Sequence, residues 1–414
     1  MESYDLIVIG GGAAGFFGAI TCATAQPGMR ILALEKGNRL LRKVLVSGGG
    51  RCNLTHALFD PAQLAAYYPR GGKALCQLFE RFQPRHTVRW FEQCGVAIKT
   101  EADGRMFPVT DSAQTIAGAL VGEAQRLGIT IEQRAAVSAV EREESGFLVV
   151  QSRSEARLAR AVLLATGGDP AGFELARSLG HTIQAPVPSL FTFALRDARL
   201  EGLAGVSIPR VRLKLAGSRL QSEGALLLTH WGMSGPAVLK LSAWAARLLH
   251  DSGYQANLVI NWLPDYNQDS LFQYLLAVQS KAGRKRASAS DPSGHIPQRL
   301  WQRLVAAAGI AKEQLWAELA RQTINRLADE LALGKFTIQG KGEFKEEFVA
   351  CGGVTLKEVD FQTMQSRVCP GLYLAGEVLD IDGLTGGFNF QSAWTTAWIA
   401  GQAIAKAWAQ TAAA

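Results

Sequence analysis

Gly10, Gly12 and Gly15 stand in G-x-G-x-x-G spacing, directly after the apolar run Tyr4 to Ile9 and at the head of a helical stretch. The three glycines answer three steric demands. Gly10 makes the tight turn, Gly12 lets a phosphate approach the backbone, and Gly15 lets the helix pack on its strand. With Ala13 and Ala14 between them, the helix start directs bare amides and the positive end of its dipole at an anion. A second apolar run, Arg30 to Leu34, delivers Glu35, 20 residues after Gly15, as an acceptor for ribose hydroxyls. Strand, glycines, helix and acid in this register predict an adenine dinucleotide site, for FAD or NAD.

Two later segments share this texture. Ala161 to Ala165 is a buried-strand pattern ending in Thr166-Gly167-Gly168, and Gly371 to Ala375 is another ending in Gly376-Glu377. Gly386-Gly387 then precede a long apolar helix. Its first amides, near Gly387, Phe388, Asn389 and Phe390, are placed to face the N1–C2=O edge of a flavin and to favour the anionic reduced ring. FAD lies extended across its sheet and needs several close main-chain approaches, whereas a plain NAD dehydrogenase needs one. The set points to FAD. No second G-x-G-x-x-G gives NAD(P)H a domain of its own, so a nicotinamide donor would visit the flavin transiently.

Other residues carry proton or electron chemistry. His230 is the candidate catalytic proton donor, because imidazole titrates near neutral pH; the competing reading is a histidine that hydrogen-bonds its own turn. Arg51 can neutralise a substrate carboxylate or a flavin phosphate, or fix its own loop. Cys52 is either a redox thiol beside the flavin or a small packing residue, and the lack of any C-x-x-C pair favours packing. Trp231 lines a substrate pocket or the core of its domain. The six cysteines, Cys76 and Cys94 in apolar contexts among them, read as free thiols of a reducing compartment. No cluster has metal-ligand spacing, so no metal is expected.

The elements that must position these groups fill 414 residues, 48% hydrophobic and 19% charged, which is enough for two cores. Residues 1–190 and 345–414 alternate strand and helix patterns and are expected to form one discontinuous FAD-binding domain. Residues 191–344 are expected as an inserted substrate or cap domain. In the first part, Gly72 to Cys94 reads as helix, with Leu75, Leu78, Phe79 and Phe82 on one face. Ile129 to Val140 and Gly146 to Ser152 read as an antiparallel strand pair. The insert shows short strands (Phe191 to Leu195, Arg210 to Leu215, Asn257 to Trp262) and helices (Leu271 to Val278, Gln298 to Ala308, Lys312 to Leu333).

The net charge of +7 lies in the insert, where Phe191 to Phe344 holds 19 Lys and Arg against 12 Asp and Glu. An anionic partner is one reading. A solvated surface is the simpler one, because no aromatic residue interleaves the basic loop Lys281 to Ser290; nucleic acid is not expected as a partner. No apolar run spans a bilayer and no basic leader precedes the first strand, so the protein is expected in the cytoplasm, away from membranes.

Three stretches tie the chain to a known family: Arg42-Lys43-Val44-Leu45-Val46-Ser47-Gly48-Gly49-Gly50-Arg51-Cys52-Asn53-Leu54-Thr55, Leu228-Thr229-His230-Trp231-Gly232-Met233-Ser234-Gly235-Pro236-Ala237-Val238-Leu239, and the tail from Cys351-Gly352-Gly353-Val354 through Thr385-Gly386-Gly387-Phe388-Asn389-Phe390-Gln391-Ser392-Ala393-Trp394. In these, and nearly end to end, it resembles the BaiN-like (YhiN-type) bacterial flavoproteins, which are FAD-dependent oxidoreductase-like. The resemblance implies an α/β fold: an FAD-binding Rossmann-type domain, glutathione-reductase-like, interrupted by a β-barrel plus helical insert.

By match, Gly10, Gly12, Ala14 and Gly15 hold the pyrophosphate, and Glu35 and Lys36 flank the adenosine ribose. Lys43 and the segment Ser47, Gly48, Gly49, Gly50, Arg51, Cys52 and Asn53 wrap the ribityl–isoalloxazine region. Val137 meets adenine through its backbone. Gly376, Glu377, Gly387, Phe388, Asn389, Phe390 and Gln391 close over the flavin. The chain departs from the family in passing quickly from Gly168-Asp169-Pro170 to Gly172-Phe173. It also carries Ala350-Cys351 before Gly352-Gly353, where Thr and a small residue are more usual. The implied activity is reduction of an electron-poor C=C bond of a small molecule by hydride from reduced flavin. The alternative is a flavin-bearing protein that binds or modifies RNA through its basic insert.

Overall fold

The computed structural model describes residues 1–152, 155–342 and 349–412. Two compact units form: Met1–Pro186 with Cys351–Ala414, and Val187–Ala350. The return expected at 344/345 lies outside the described residues.

The first unit is built on a parallel sheet. Ser3–Ile9 runs parallel to Ile31–Glu35 on one side and Arg157–Leu164 on the other. Thr130–Gln133 and Leu372–Leu374 extend the sheet outward, also in parallel. Leu6, Ile7, Val8, Leu32, Val162 and Leu163 are fully buried, which is why these strands read as continuous apolar runs. Helix Ala13–Ala25 approaches the closing helix Phe388–Ala412 closely, for a Cβ on Gly401 would lie 2.7 Å from the Gly18 carbonyl oxygen. Phe17 completes this contact against Phe82, Trp90 and Trp394, at ring distances of 5.5, 4.9 and 5.3 Å.

Two expected elements divide. The helical stretch after Gly72 becomes Gly72–Arg81 and Pro84–Gln93, because Pro84 cannot continue a helix but fits the first turn of a new one. Its predicted apolar face holds, with Leu75, Leu78, Phe79 and Phe82 all buried. The strand expected from Ile129 breaks at Arg134, which takes φ +56 and donates its N–H to the Gly37 carbonyl at 2.8 Å. Thr130–Gln133 therefore joins the parallel sheet, and Val137–Glu143 starts a separate hairpin with Gly146–Gln151.

The second unit carries an antiparallel sheet whose two ends are consecutive stretches of one segment. Gly334–Ile338 pairs with Ala256–Asn261, and Gly340–Lys341 pairs with Phe193–Ala194, so the sheet closes on itself. Helices Pro236–Trp244, Gln268–Ala282, Gln298–Ala307 and Arg321–Leu333 share one apolar core with it, around Phe193, Trp262 and Trp301. The last helix is shorter than expected, beginning only after the 3-10 turn Trp316–Glu318. Among the described residues, no helix is long and apolar enough to cross a membrane.

His181 pins the first unit together. Its buried ring places Nδ1 3.1 Å from Glu358 Oε2 and Nε2 2.9 Å from Ser366 Oγ, which also accepts the amides of Val368 and Cys369. Burial holds the imidazole below its ordinary 6.5, against the opposite pull of Glu358. With the folded value depressed, the neutral ring stabilises fully above pH 6.5, and that contribution is lost as pH falls through the folded pKa. His181→Gln should lower the thermal midpoint near neutral pH and shrink its fall between about pH 7.5 and pH 5.5. A midpoint falling equally in both proteins would clear His181 of that role.

Candidate functional site

The turn after Ser3–Ile9 sorts its glycines by what occupies the place of their missing side chains. Gly10, at φ +117, has the Ala165 carbonyl oxygen 2.4 Å from its Cβ position, and Gly15 has the Gly10 carbonyl oxygen at 1.9 Å. At Gly12 nothing lies within 4 Å. Gly12 is also the N-cap of Ala13–Ala25, where no side chain caps the helix. The first-turn amides at Ala13, Ala14 and Gly15 are thus left for an outside acceptor. This is an anion cradle, walled by protein behind Gly10 and Gly15 and open at Gly12. Thr166 stands at the neighbouring strand end, and its buried Oγ1 has no partner among the described residues.

Glu35 is held ready beside the cradle. Its carboxylate accepts the N–H of Gly11 at 2.9 Å and of Gly37 at 2.7 Å, leaving lone pairs for further hydroxyl donors. Lys36 pairs with Asp169 at 2.6 Å. Val137 opens its hairpin two residues after Ala135, whose N–H donates to the Glu35 carbonyl at 2.9 Å. These residues converge on one edge of the sheet.

The glycine run breaks the helix Arg42–Gly50 from within. Ser47 turns extended, and Gly48, Gly49 and Gly50 take φ 57, 69 and 84. Gly48 packs against Asn53 and Phe107, whereas Gly49 and Gly50 face open space. Arg51 pairs with Glu101 at 2.7 Å and lies 4.1 Å above the Phe107 ring, so it fixes its own loop. Cys52 is fully buried, and burial pushes its thiol up to about 12, the state of an inert packing residue. The Asn53 amide donates to the Thr55 carbonyl at 3.2 Å and accepts the Gly387 N–H at 3.1 Å. That contact joins the glycine run to the closing helix.

At the closing helix, a Cβ on Gly387 would lie 2.5 Å from the Thr55 carbonyl oxygen, and one on Gly376 would lie 2.9 Å from the Ala14 side chain. The Gly376 amide donates to Thr396 Oγ1 at 3.0 Å. Lys43 and Glu377 form an ion pair, and the Gly167 Cβ position is 3.6 Å from Glu377 Oε2. Asn389 uses both amide atoms to hold Gly383, at 2.7 and 2.9 Å, and Phe390 stacks on Trp394. Gln391 points the other way. Its buried Oε1 accepts the hydroxyls of Thr55 and Thr87 at 2.6 and 2.9 Å, and its Nε2 donates to Thr395. Its side chain is therefore a core hub.

Sequence reasoning missed His56. Its Nδ1 lies 3.1 Å from the Gly386 carbonyl oxygen, and its ring stacks on Phe388, which Tyr67 covers on a parallel plane. Burial lowers this imidazole below its ordinary range. Nothing local marks the contact with Gly386 and Phe388, which lie over 300 residues away.

His230 belongs to the second unit. It sits exposed in the turn between Gln221–Thr229 and Gly232–Ser234, and its ring makes no hydrogen bond or ion pair among the described residues. The turn-bonding reading therefore fails. Trp231 is 45% exposed, so it is no core residue.

The residues of the first unit fit FAD, for the cradle at Gly12, the uncapped helix start, the orphaned Thr166 hydroxyl and the open Gly49 and Gly50 all lack an occupant from the chain itself. Comparison with known proteins agrees. The pattern of the HI0933-like protein Rossmann domain matches residues 4–403. The chain belongs to this HI0933-like family. It is 32% identical to the ribosomal RNA dihydrouridine synthase of Escherichia coli (strain K12), over 98% of this chain and 99% of the relative. It is 29% identical to the 3-dehydro-bile acid delta(4,6)-reductase of Clostridium scindens, over 96% and 98%. The resemblance read from the motifs thus holds at the level of the family.

The fold matches the 3-ketosteroid-delta4-(5alpha)-dehydrogenase of Rhodococcus jostii RHA1, with a TM-score of 0.52 at 15% identity, over 98% of this chain and 97% of that one. This chain is an FAD-binding oxidoreductase. Gly12→Val should leave it folded and cut FAD retention at least about tenfold, because the new side chain occupies only the open cradle. Gly15→Ala should instead destabilise the fold by about 1–3 kcal/mol or more, through its clash with the Gly10 carbonyl. Unfolding midpoints and FAD content measure both, and equal FAD retention in Gly12→Val and wild type would remove the cradle assignment.

Proposed function

We propose that this protein reduces a C=C bond conjugated to a carbonyl in a small molecule, and that its described residues divide the work of holding FAD and substrate. The observation that carries the reading is the set of open main-chain approaches in the first unit, taken with relatives named a dihydrouridine synthase and a delta(4,6)-reductase. Gly10, Gly12, Ala13, Ala14 and Gly15 grip the pyrophosphate, with Thr166 donating its orphaned hydroxyl. Glu35 takes the ribose hydroxyls beside Lys36, and the Val137 backbone faces adenine. Lys43, Ser47 to Asn53, Gly167, Gly376, Glu377 and Gly387 to Phe390 enclose the ring end. Bound there and reduced, FAD would supply the hydride chemistry. His230 is the proton donor in this reading, for its imidazole makes no hydrogen bond or ion pair among the described residues.

Protein purified with FAD and reduced anaerobically should be reoxidised by 2-cyclohexenone or uridine, and His230→Asn should slow that step about 100-fold or more with FAD content unchanged. NADH or NADPH is the proposed visiting donor and should bleach the flavin. Failure of both nicotinamides to do so would leave another donor, and failure of both acceptors would end the reductase reading.

A second reading, an RNA substrate, is favoured by the basic second unit. There a cavity of about 480 Å³ is lined by Arg299, Arg303 and Lys312, with Glu201 as its carboxylate. If RNA docks there, replacing all three cations with Ala should lower both RNA affinity and the steepness of its salt dependence. Binding that vanishes at modest salt with an unchanged slope in the variant would be generic attraction.

A further inference from the structure

The second unit holds two hydroxyls that its own fold leaves without partners. Phe193 pairs with Met233, and Met233 with Leu228, across three strands, and all three side chains are buried in the core. Alternation along each strand places their neighbours on the opposite face: Thr192 and Ala194, Gly232 and Ser234, Leu227 and Thr229. That face is small and polar at its centre. Leu227 and Trp231, 38% and 45% exposed, stand at its edge, with His230 in the adjoining turn.

Thr192 Oγ1 and Thr229 Oγ1 are both buried on this face, and neither has a hydrogen-bond partner among the described residues. Thr192 is only 6% exposed. Room for its hydroxyl is made by Gly342, whose N–H donates to the Thr192 carbonyl at 2.8 Å. A Cβ on Gly342 would lie 2.0 Å from Thr192 Oγ1 and 3.5 Å from Trp231 Nε1. The Gly342 backbone is not left-handed, so the glycine serves space rather than conformation.

Buried hydroxyls are nearly always satisfied, because an unpaired one forfeits its water without recompense. Valine would fill the place of Thr192 without that penalty. A hydroxyl kept there, beside an exposed indole, suits a ligand that brings an acceptor.

We propose that this face, built from Thr192, Thr229, Trp231 and Gly342, is the carbonyl-binding part of the substrate site and takes a planar ring whose carbonyl is conjugated to a C=C bond. The Thr192 hydroxyl donates to the conjugated carbonyl oxygen and the Thr229 hydroxyl to a second ring acceptor where the ring has one, with the exposed Trp231 at the rim. Donation to such an oxygen withdraws electron density from the conjugated C=C and prepares it for reduction. The ligand class rests on the reductase reading; the site rests on the orphaned hydroxyls. A free cyclic enone and a uracil base share this chemistry.

The test is calorimetric titration of the oxidised, FAD-loaded protein with 2-cyclohexenone and with uridine, beside thermal midpoints. Binding of either probe is expected, and the one that binds names the source of the carbonyl. Thr192→Val should weaken that binding five- to twentyfold while leaving the midpoint equal or higher; Thr192→Ser should restore binding. Gly342→Ala, which pushes on the same hydroxyl, should reproduce the loss without touching Thr192. A merely structural threonine would lower the midpoint in Thr192→Val and leave binding intact, and that outcome overturns the proposal, as does wild type that binds neither probe. Wild type that binds without reoxidising its flavin ends the reductase reading and leaves this site standing. Wild type that reoxidises while Thr192→Val and Gly342→Ala bind as it does removes the site and leaves the reductase.

Discussion

Main chain packed directly on main chain is the constraint on which the rest of the first unit depends. Gly10 against Ala165, Gly15 against Gly10, Gly353 against Val378 and Gly387 against Thr55 each place a carbonyl oxygen less than 3 Å from where a side chain would begin. Such contacts draw the ends of Ser3–Ile9, Arg157–Leu164 and Leu372–Leu374 to one edge of the sheet. Gly12, Gly49, Gly50 and Gly168 belong to a different class, because nothing in the chain occupies their Cβ positions. The first class builds a wall and the second leaves the approach open. A long ligand gripped by backbone needs both together, whereas turns that only reverse the chain, as at Gly28 and Gly128, show open positions without such a wall.

How much of this was legible depended on distance along the chain. The fingerprint and Glu35 lie within one strand–helix–strand unit, so spacing alone placed them. Gly376 and Gly387 were legible as glycines at strand and helix ends, but not what filled them. The Asn53 link to Gly387 and the Thr55 bond to Gln391 join residues more than 300 apart, and no local period encodes such a pairing. Gln391 shows the consequence. By match to the family it belonged with the flavin contacts, yet the facing hydroxyls of Thr55 and Thr87 turn its amide into the core. His56 was overlooked for the same reason. Boundaries failed where one residue overrode a pattern, Pro84 by lacking an N–H and Arg134 by a left-handed backbone held by Gly37.

Charge in the two units is used differently. Arg51 pairs with Glu101 and Asp111 around Phe107, and the buried Asp382 pairs with Arg70. These groups set loop geometry, whereas the cradle at Gly12 presents uncharged amides already aligned by the helix. In the second unit Arg199 is engaged with Asp197 and Glu330 over the Phe336 ring, a staple between strand and helix. Arg299, Arg303 and Lys312 instead line a cavity in which Glu201 is the carboxylate. Net charge alone would not have separated these roles.

The unpaired hydroxyls separate stability from function more sharply than any charge does. The orphaned Trp262 Nε1 belongs to an indole in the apolar core of its unit, whose packing area outweighs one lost hydrogen bond. Thr166 and Thr192 have no such excuse, since valine has nearly the same shape and would fill either place at lower free energy. Each also stands beside a glycine whose absent side chain makes room for the hydroxyl, Gly172 for Thr166 and Gly342 for Thr192. Two positions per site are thus given up to keep one oxygen unpartnered. A local rule broken twice over, with space reserved around the break, is where a fold yields stability to binding.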